Sequence, residues 1–218
     1  MKTRAELKEI AKKGFTSNYW PTVALFFVVV VLVGAIAAIP FAGGPLSLLI
    51  AVPLSVGLGY YFLLISLRKQ ASFSTAFKVS FSNSYPKYLG GSLWMSLWVF
   101  LWSLLFVIPG IVKAYAYAMT PYILADCPDV SATDALKVSM RIMDGHKFEF
   151  FVLELSFIGW ELLSILGLFI PMFLYVGPYM QTTYAAYYKD LMDESIRKGI
   201  VTEEEIGTRL SLSVADAD

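Results

Sequence analysis

Long apolar runs alternate with short polar segments along most of this chain. A helix needs roughly 20 predominantly apolar residues to cross the hydrocarbon core of a bilayer, which is about 30 Å thick. Six runs meet or approach that length: 20–39, 46–67, 92–108, 111–125, 148–170 and 172–188. Pro109 and Gly110 divide the third run from the fourth and predict a tight hairpin. The alternative is a single kinked helix over 92–125 and only four or five spans, but that helix would be about 51 Å long.

The polar segments repeat a pattern with helical spacing. Residues 72–81 align with residues 131–140 at five identical positions of ten, and residues 7–15 carry the same apolar spacing of i, i+3, i+4 and i+8. This spacing places the apolar side chains on one face of a helix. Each copy has a lysine at the equivalent position: Lys12, Lys78 and Lys137. Residues 3–6 and 131–134 have the composition of helix-capping boxes.

We therefore predict an all-α polytopic membrane bundle of six transmembrane helices, built from three repeats of a cytoplasmic amphipathic helix followed by a transmembrane hairpin. A single membrane domain covers residues 1–199, and residues 200–218 form a cytoplasmic C-terminal tail that is disordered over 211–218. The three repeats cover about 1–67, 68–126 and 127–199. Residues 1–37 are similar to a signal peptide, but their apolar part exceeds the usual ~7–15 residues, so we expect a retained first span.

Basic residues are distributed unevenly over this predicted topology. Sixteen of the 17 Lys and Arg residues lie before, between or after the predicted hairpins, which is one side of the membrane. By the positive-inside rule that side is cytoplasmic, and both termini lie there. The opposite side has only short uncharged turns, whereas a receptor for a large external ligand needs more exposed surface.

The composition supports a membrane protein and excludes several kinds of chemistry. Hydrophobic residues make up 57% of the chain and charged residues 16%, and the mean hydropathy is +0.64; soluble domains are about 25% charged. Seventeen basic and 17 acidic residues balance, which excludes a strongly basic nucleic-acid binder. Because Cys127 and His146 are the only residues of their types, we expect no disulfide framework, no metal site and no cofactor.

Charged residues inside the predicted spans are candidate functional residues, because each costs roughly 2.5–3.5 kcal/mol at the centre of a membrane helix. Lys113, Glu154 and Glu161 qualify. We expect Lys113 and Glu161 to approach each other in the outer leaflet, either as a structural ion pair or as the lining of a polar cavity. Tyr115, Tyr179 and Gln181 lie on the most polar spans and complete this candidate intramembrane polar site.

Other polar residues are expected at the inner membrane surface. Lys12, Lys78, Lys137 and Arg141 form the basic faces of the amphipathic helices, which would lie in the interface and attract anionic lipid. The alternative is that these helices only tie the hairpins together. Asp126 is interpreted as an ordinary boundary residue.

Three segments carry a resemblance to a known family: 108–126, 134–147 and 177–183, with their Ile-Pro-Gly, Gly-His-Lys and Gly-Pro-Tyr motifs. The chain resembles a domain-of-unknown-function family of integral membrane proteins found mainly in Gram-positive bacteria. That resemblance implies a bacterial plasma-membrane protein and no particular activity. The Pro-Gly turn and the Ala-Leu…Ser…Gly helix that follows are also faintly similar to the membrane domain attached to some glycerophosphodiester phosphodiesterases, in which a separate soluble domain carries the chemistry.

These patterns predict a non-enzymatic accessory or scaffold protein that binds membrane lipid, a partner membrane protein or a second copy of itself. No Ser-His-Asp set, phosphate loop or HExxH motif is found in the sequence, so we expect no enzyme activity. The alternative is a transport or translocation module for a small molecule or peptide, because repeated hairpins with proline-broken helices are a recurring transporter architecture.

Overall fold

The computed structural model describes residues 2–41, 43–82, 84–105, 107–167 and 169–213. Helices joined by turns account for this part of the chain, and no strand occurs in it, which confirms the all-α prediction. The helices are α1 (Arg4–Ser17), α2 (Tyr19–Ala37), α3 (Gly43–Ser66), α4 (Phe73–Ser80), α5 (Tyr85–Leu105), α6 (Val107–Tyr117), α7 (Thr120–Asp126), α8 (Ala132–Ile142), α9 (Lys147–Leu155), α10 (Ile158–Leu166), α11 (Gly177–Arg197), α12 (Glu203–Ile206) and α13 (Leu210–Ser213). A π-helical turn, Met172–Val176, precedes α11.

Two helices of the described chain are long and apolar enough to cross a membrane: Tyr19–Ala37, which is α2, and Leu46–Ser66, which is most of α3. Two of the other predicted spans are divided. The fourth run separates into α6 and α7, where Pro121 lies in the first turn of α7 and lacks the N–H that a continuous helix would need. The fifth run separates into α9 and α10 at Ser156 and Phe157. Six transmembrane helices therefore stay a prediction.

The third and fourth runs form two helices that pack side by side, and the second of these helices begins earlier than predicted. Helix α5 ends at Leu105 and α6 begins at Val107, and the two helices pack side by side. Pro109 and Gly110 lie inside the first turn of α6 rather than between the helices. Proline is tolerated there because the first N–H groups of a helix have no intrahelical acceptor.

The core of the bundle is built around α3 and α11. Helix α3 contacts α1, α2, α4, α5, α7 and α11, and α11 also lies along α1. Tyr61, Phe62 and Tyr188 are among the largest fully buried side chains. Their burial against neighbouring helices supplies the main apolar contribution to folding.

The three amphipathic helices α1, α4 and α8 bury their small residues against this core. Thr3 forms the predicted capping box with Glu6 at the start of α1. The equivalent positions Gly14, Ser80 and Ser139 are all buried. A Cβ on Gly14 would lie 2.2 Å from the carbonyl oxygen of Ile65, so α1 approaches the backbone of α3 closely. The apolar faces of α1 and α8 therefore pack against protein, while Lys12, Lys78 and Lys137 are exposed.

The C-terminal segment is folded onto the bundle. Val201 and Ile206 are buried, and α13 covers Leu210–Ser213 with Ser211 buried. The expectation of disorder from residue 211 is therefore wrong for 211–213, because Ser211 finds a hydrogen-bond partner in the core; residues 214–218 lie outside the described part. We call residues 200–213 the C-terminal strap.

Candidate functional site

A buried carboxylate, Asp126 at the end of α7, holds the C-terminal strap in place. Its oxygens accept hydrogen bonds from Arg209 Nε at 3.2 Å, from the backbone N–H of Ser211 at 2.8 Å and from the Tyr188 hydroxyl at 3.1 Å. Asp126 is fully buried and Arg209 is 6% exposed. A buried charge needs such partners, because burial without them costs several kcal/mol.

Arg209 links this carboxylate to α11. Its Nη1 donates to Asp193 Oδ1 at 2.8 Å, and Lys189 donates to the other oxygen of Asp193 at 2.6 Å. Burial raises the pKa of Asp193, but the hydrogen bonds from Lys189 and Arg209 outweigh burial and leave that pKa below its ordinary value. Asp193 is therefore held as a carboxylate beside Arg209.

Further contacts join the four segments that carry the basic residues, which we call the basic segments: 2–13, 68–87, 137–147 and 189–209. Each of five basic residues bonds to a segment distant in sequence: Lys2 to Asp190 at 3.3 Å, Lys69 to the Ser211 carbonyl at 2.8 Å, Lys87 to the Pro128 carbonyl at 2.6 Å, Arg141 to Glu205, and Arg209 to Asp126. We call this assembly the charged end of the bundle. The segments that carry 16 of the 17 basic residues thus share one region of the fold.

Lys113 does not pair with Glu161, contrary to our expectation. Its Nζ lies 5.6 Å from the ring centre of Trp102, 5.9 Å from that of Tyr117 and 3.9 Å from Met140 Sδ. Within the described residues no ion pair joins Lys113 to Glu161. The reason is the position of α8, which packs against α6 and draws Lys113 towards Met140.

Glu154 instead has a phenol as its partner. The Tyr115 hydroxyl donates a hydrogen bond to Glu154 Oε2, which joins α6 to α9. The rings of Phe150 and Phe151 contact that of Tyr115 edge-on, at 6.1 Å and 6.0 Å between ring centres. These residues line a groove of about 500 Å³ between α6 and α9.

Tyr179 and Gln181 face other parts of the bundle. The Tyr179 hydroxyl donates to the backbone carbonyl of Lys8 at 3.2 Å, which ties α11 to α1. Gln181 Oε1 accepts from the Tyr122 hydroxyl at 3.4 Å, and Tyr122 stacks on Tyr188. Of the six candidate intramembrane residues, Tyr115 and Glu154 therefore bond to each other, and Glu161 lies near enough to Glu154 for their charges to interact. Lys113, Tyr179 and Gln181 have their partners elsewhere in the described bundle.

The predicted basic faces differ in their surroundings. Lys137 pairs with Asp134 at 2.9 Å on its own helix, and Arg141 pairs with Glu205 of the strap. Lys12 lines a groove of about 710 Å³ at the end of α1, together with Glu9, Lys13, Thr16, Ser17 and Arg68. The sequence marks Arg68 only as one basic residue among several, and its place in this groove depends on how α1 and α3 pack together.

The comparisons with known proteins identify a family. Residues 46–195, more than half of the chain, match the family described as Protein of unknown function (DUF975). The chain belongs to the DUF975 family. The DUF975 match runs from α3 into α11, so it includes Asp126, Asp193 and Glu154 but leaves α1, α2 and the strap outside. Searches of curated proteins and of solved structures gave no match.

Proposed function

We propose that this DUF975 chain is a multi-pass integral protein of a bacterial plasma membrane, with both termini in the cytoplasm, and that it acts as a non-enzymatic accessory module. Its partners are membrane lipid and another membrane protein or a second copy of the chain, and nucleic acid is not among them. One observation carries this proposal: the surface is separated into an apolar belt and the charged end.

The apolar belt consists of outward-facing side chains on α2, α5 and α10. Phe27, Phe100 and Leu162 are 50%, 63% and 58% exposed. Other large exposed apolar residues on the same helices are Val31, Leu32, Leu93, Leu97, Leu101, Leu163 and Ile165. Apolar area in water costs roughly 25 cal/mol per Å², so a soluble protein would bury a patch of this extent. A lipid bilayer removes that cost.

An accessory role is favoured over transport by how the polar residues are distributed. Lys113, Glu154 and Gln181 each find partners in a different part of the bundle. A transporter site needs such groups around one shared cavity. The charged end, in contrast, is fixed by ion pairs between distant segments, which suits a rigid docking surface.

One observation favours the alternative of transport. Glu154 lines the groove between α6 and α9, where a carboxyl group bonded to Tyr115 offers a protonation site among apolar residues. Intramembrane carboxyl groups mark ion and proton pathways in many membrane proteins.

Membrane fractionation and reconstitution test these alternatives. An integral accessory protein resists extraction by alkaline carbonate, is released by mild detergent, and leaves sealed proteoliposomes impermeable to protons in a pH-sensitive dye assay. Release by carbonate would contradict membrane integration. A proton flux that Glu154→Gln abolishes, and that the exposed control Glu204→Gln leaves unchanged, would replace the accessory role by transport.

A further inference from the structure

The groove at the end of α1 collects three cations around one carboxylate. Lys12, Lys13 and Arg68 line it with Glu9, in a volume of about 710 Å³. Lys13 is paired with Glu9. Neither Lys12 nor Arg68 forms an ion pair or a side-chain hydrogen bond within the described part of the chain. Two cations are therefore available to an anionic ligand.

Arg68 occupies a backbone position that ordinarily belongs to glycine. It follows α3 with φ +58°, in the left-handed region. Its N–H bonds to the Ile65 carbonyl at 3.0 Å, and the Lys69 N–H bonds to the Leu64 carbonyl at 2.9 Å. This pattern ends a helix with a left-handed residue, for which glycine avoids the clash that a Cβ causes. An arginine here keeps local strain and places a guanidinium at the groove, and strain of this kind concentrates at functional sites.

The groove also lies where charge gives way to the apolar belt. Ser17 and Thr16, which line it, end α1, and Trp20 follows at the start of α2 with 74% of its surface exposed. Tryptophan is enriched at the boundary between lipid headgroups and hydrocarbon. Beyond Trp20, Phe27 and Val31 face outward along α2.

We propose that this groove binds the phosphate of an anionic phospholipid headgroup through Lys12 and Arg68, with the acyl chains lying along the exposed face of α2. A phospholipid joins an anion directly to hydrocarbon, and the groove holds two cations near the end of α1, from which the chain continues into the exposed apolar helix α2. Arginine suits this role because its planar guanidinium binds phosphate oxygens in pairs. The inference rests on the proposed membrane integration and assigns its lipid class and site.

Native mass spectrometry of the full chain, released from nanodiscs of equal phosphatidylglycerol and phosphatidylcholine, measures the retained lipid. The wild type retains phosphatidylglycerol in preference to phosphatidylcholine. Loss of one charge near an anionic surface weakens attraction roughly fivefold, so Lys12→Gln with Arg68→Gln lowers the preference by roughly 30-fold. The matched control is Lys147→Gln with Lys198→Gln, two cations outside the groove that are already paired with acidic neighbours. It keeps the preference of the wild type.

A second variant separates binding from folding. Arg68→Gly removes the cation and relieves the left-handed strain, so the midpoint of thermal unfolding in lipid-free detergent stays equal or rises while retention of phosphatidylglycerol in nanodiscs falls. Arg68→Lys keeps the charge and retains most of the lipid preference. A drop in lipid retention accompanied by a lower unfolding midpoint for Arg68→Gly would overturn the proposal, because lipid loss would then follow from misfolding.

Two further outcomes would also overturn it. Equal losses in the groove pair and the control pair would show that only net charge matters. Displacement of phosphatidylglycerol by millimolar inorganic phosphate would show a site for a soluble anion. Resistance to carbonate extraction is independent of these variants, so failure of the lipid site leaves the proposed membrane integration standing.

Discussion

Asp126 shows how a single residue acquires its role only in the folded chain. It follows an apolar run directly, a position typical of a boundary residue at the end of a membrane span. Its main partner, Arg209, lies 83 residues further along the sequence. No local spacing connects the two residues, so sequence patterns predicted the capping box of α1, in which both partners are three residues apart, and missed this buried pair.

Removal of either charge of this pair should destabilise the bundle. Arg209→Met leaves Asp126 buried without its counterion, so we expect the free energy of unfolding to fall by about 3–5 kcal/mol. Asp126→Asn leaves Arg209 with Asp193 as its remaining counterion, so we expect a smaller loss. The double variant should lose less than the sum of the two single effects. Denaturation in detergent micelles, followed by circular dichroism, measures these values.

The control for this experiment is Lys137→Gln, which removes one charge of the exposed pair with Asp134. Exposed pairs contribute about 0–1 kcal/mol, so a small change is expected. Additive losses for Asp126→Asn and Arg209→Met would mean that the two side chains act independently and that the strap is held by other contacts.

The contribution of Lys113 to stability should depend on an aromatic ring and not on Glu161. Its ammonium group lies over Trp102, and a contact of this kind is worth about 0.5–2 kcal/mol. In double-mutant cycles, Lys113→Met with Trp102→Leu should therefore show a coupling energy in that range. Lys113→Met with Glu161→Gln should be additive within about 0.5 kcal/mol. A larger coupling to Glu161 would restore the ion pair that the sequence predicted.

Helix breaks mark the limit of what periodicity predicts at the scale of elements. The break between α6 and α7 has a local signal in Pro121. The break between α9 and α10 has no proline; there Lys8, 148 residues away, donates to the Ser156 carbonyl at 3.2 Å and its ammonium lies over the Phe157 ring. A helix can end where a distant donor satisfies its free carbonyl, and that donor is absent from any local window.

The packing of α1 on α3 gives a direct test at the same scale. Gly14→Ala should lower the free energy of unfolding by about 1–3 kcal/mol, because the added Cβ would overlap the Ile65 carbonyl oxygen and force the helices apart. Gly34→Ala is the matched control, because no atom lies within 4 Å of its added Cβ. It should stabilise α2 by about 0.5–1 kcal/mol. Thermal unfolding in detergent checks both values, and equal effects would contradict the close approach of α1 to α3.

At the scale of the whole molecule, the fold brings the basic residues together at one end of the bundle, as the alternation of apolar and basic segments along the sequence predicts. The four basic segments, separated by apolar runs in the sequence, are bonded together at the charged end. The three predicted hairpin turns, at the Ile-Pro pairs 39–40, 108–109 and 170–171, are uncharged in sequence. The uneven distribution of charge can be predicted from the sequence, because it depends only on the order in which apolar runs and polar segments follow one another. The packing of α1, α4 and α8 was not, because an apolar face alone does not distinguish lipid from protein as its partner.

Cysteine labelling in intact cells tests this polarity most directly, and the chain suits it well. The native Cys127 is fully buried, and burial raises the pKa of its thiol to about 12, so it should not react with an impermeant maleimide. Single cysteines at Lys12, Lys78 and Lys137 should react only after the cells are permeabilised. A cysteine at Phe41, in the first hairpin turn, should react in intact cells. Labelling of Lys78→Cys from outside, or of Phe41→Cys only after permeabilisation, would contradict a multi-pass protein whose charged end faces the cytoplasm.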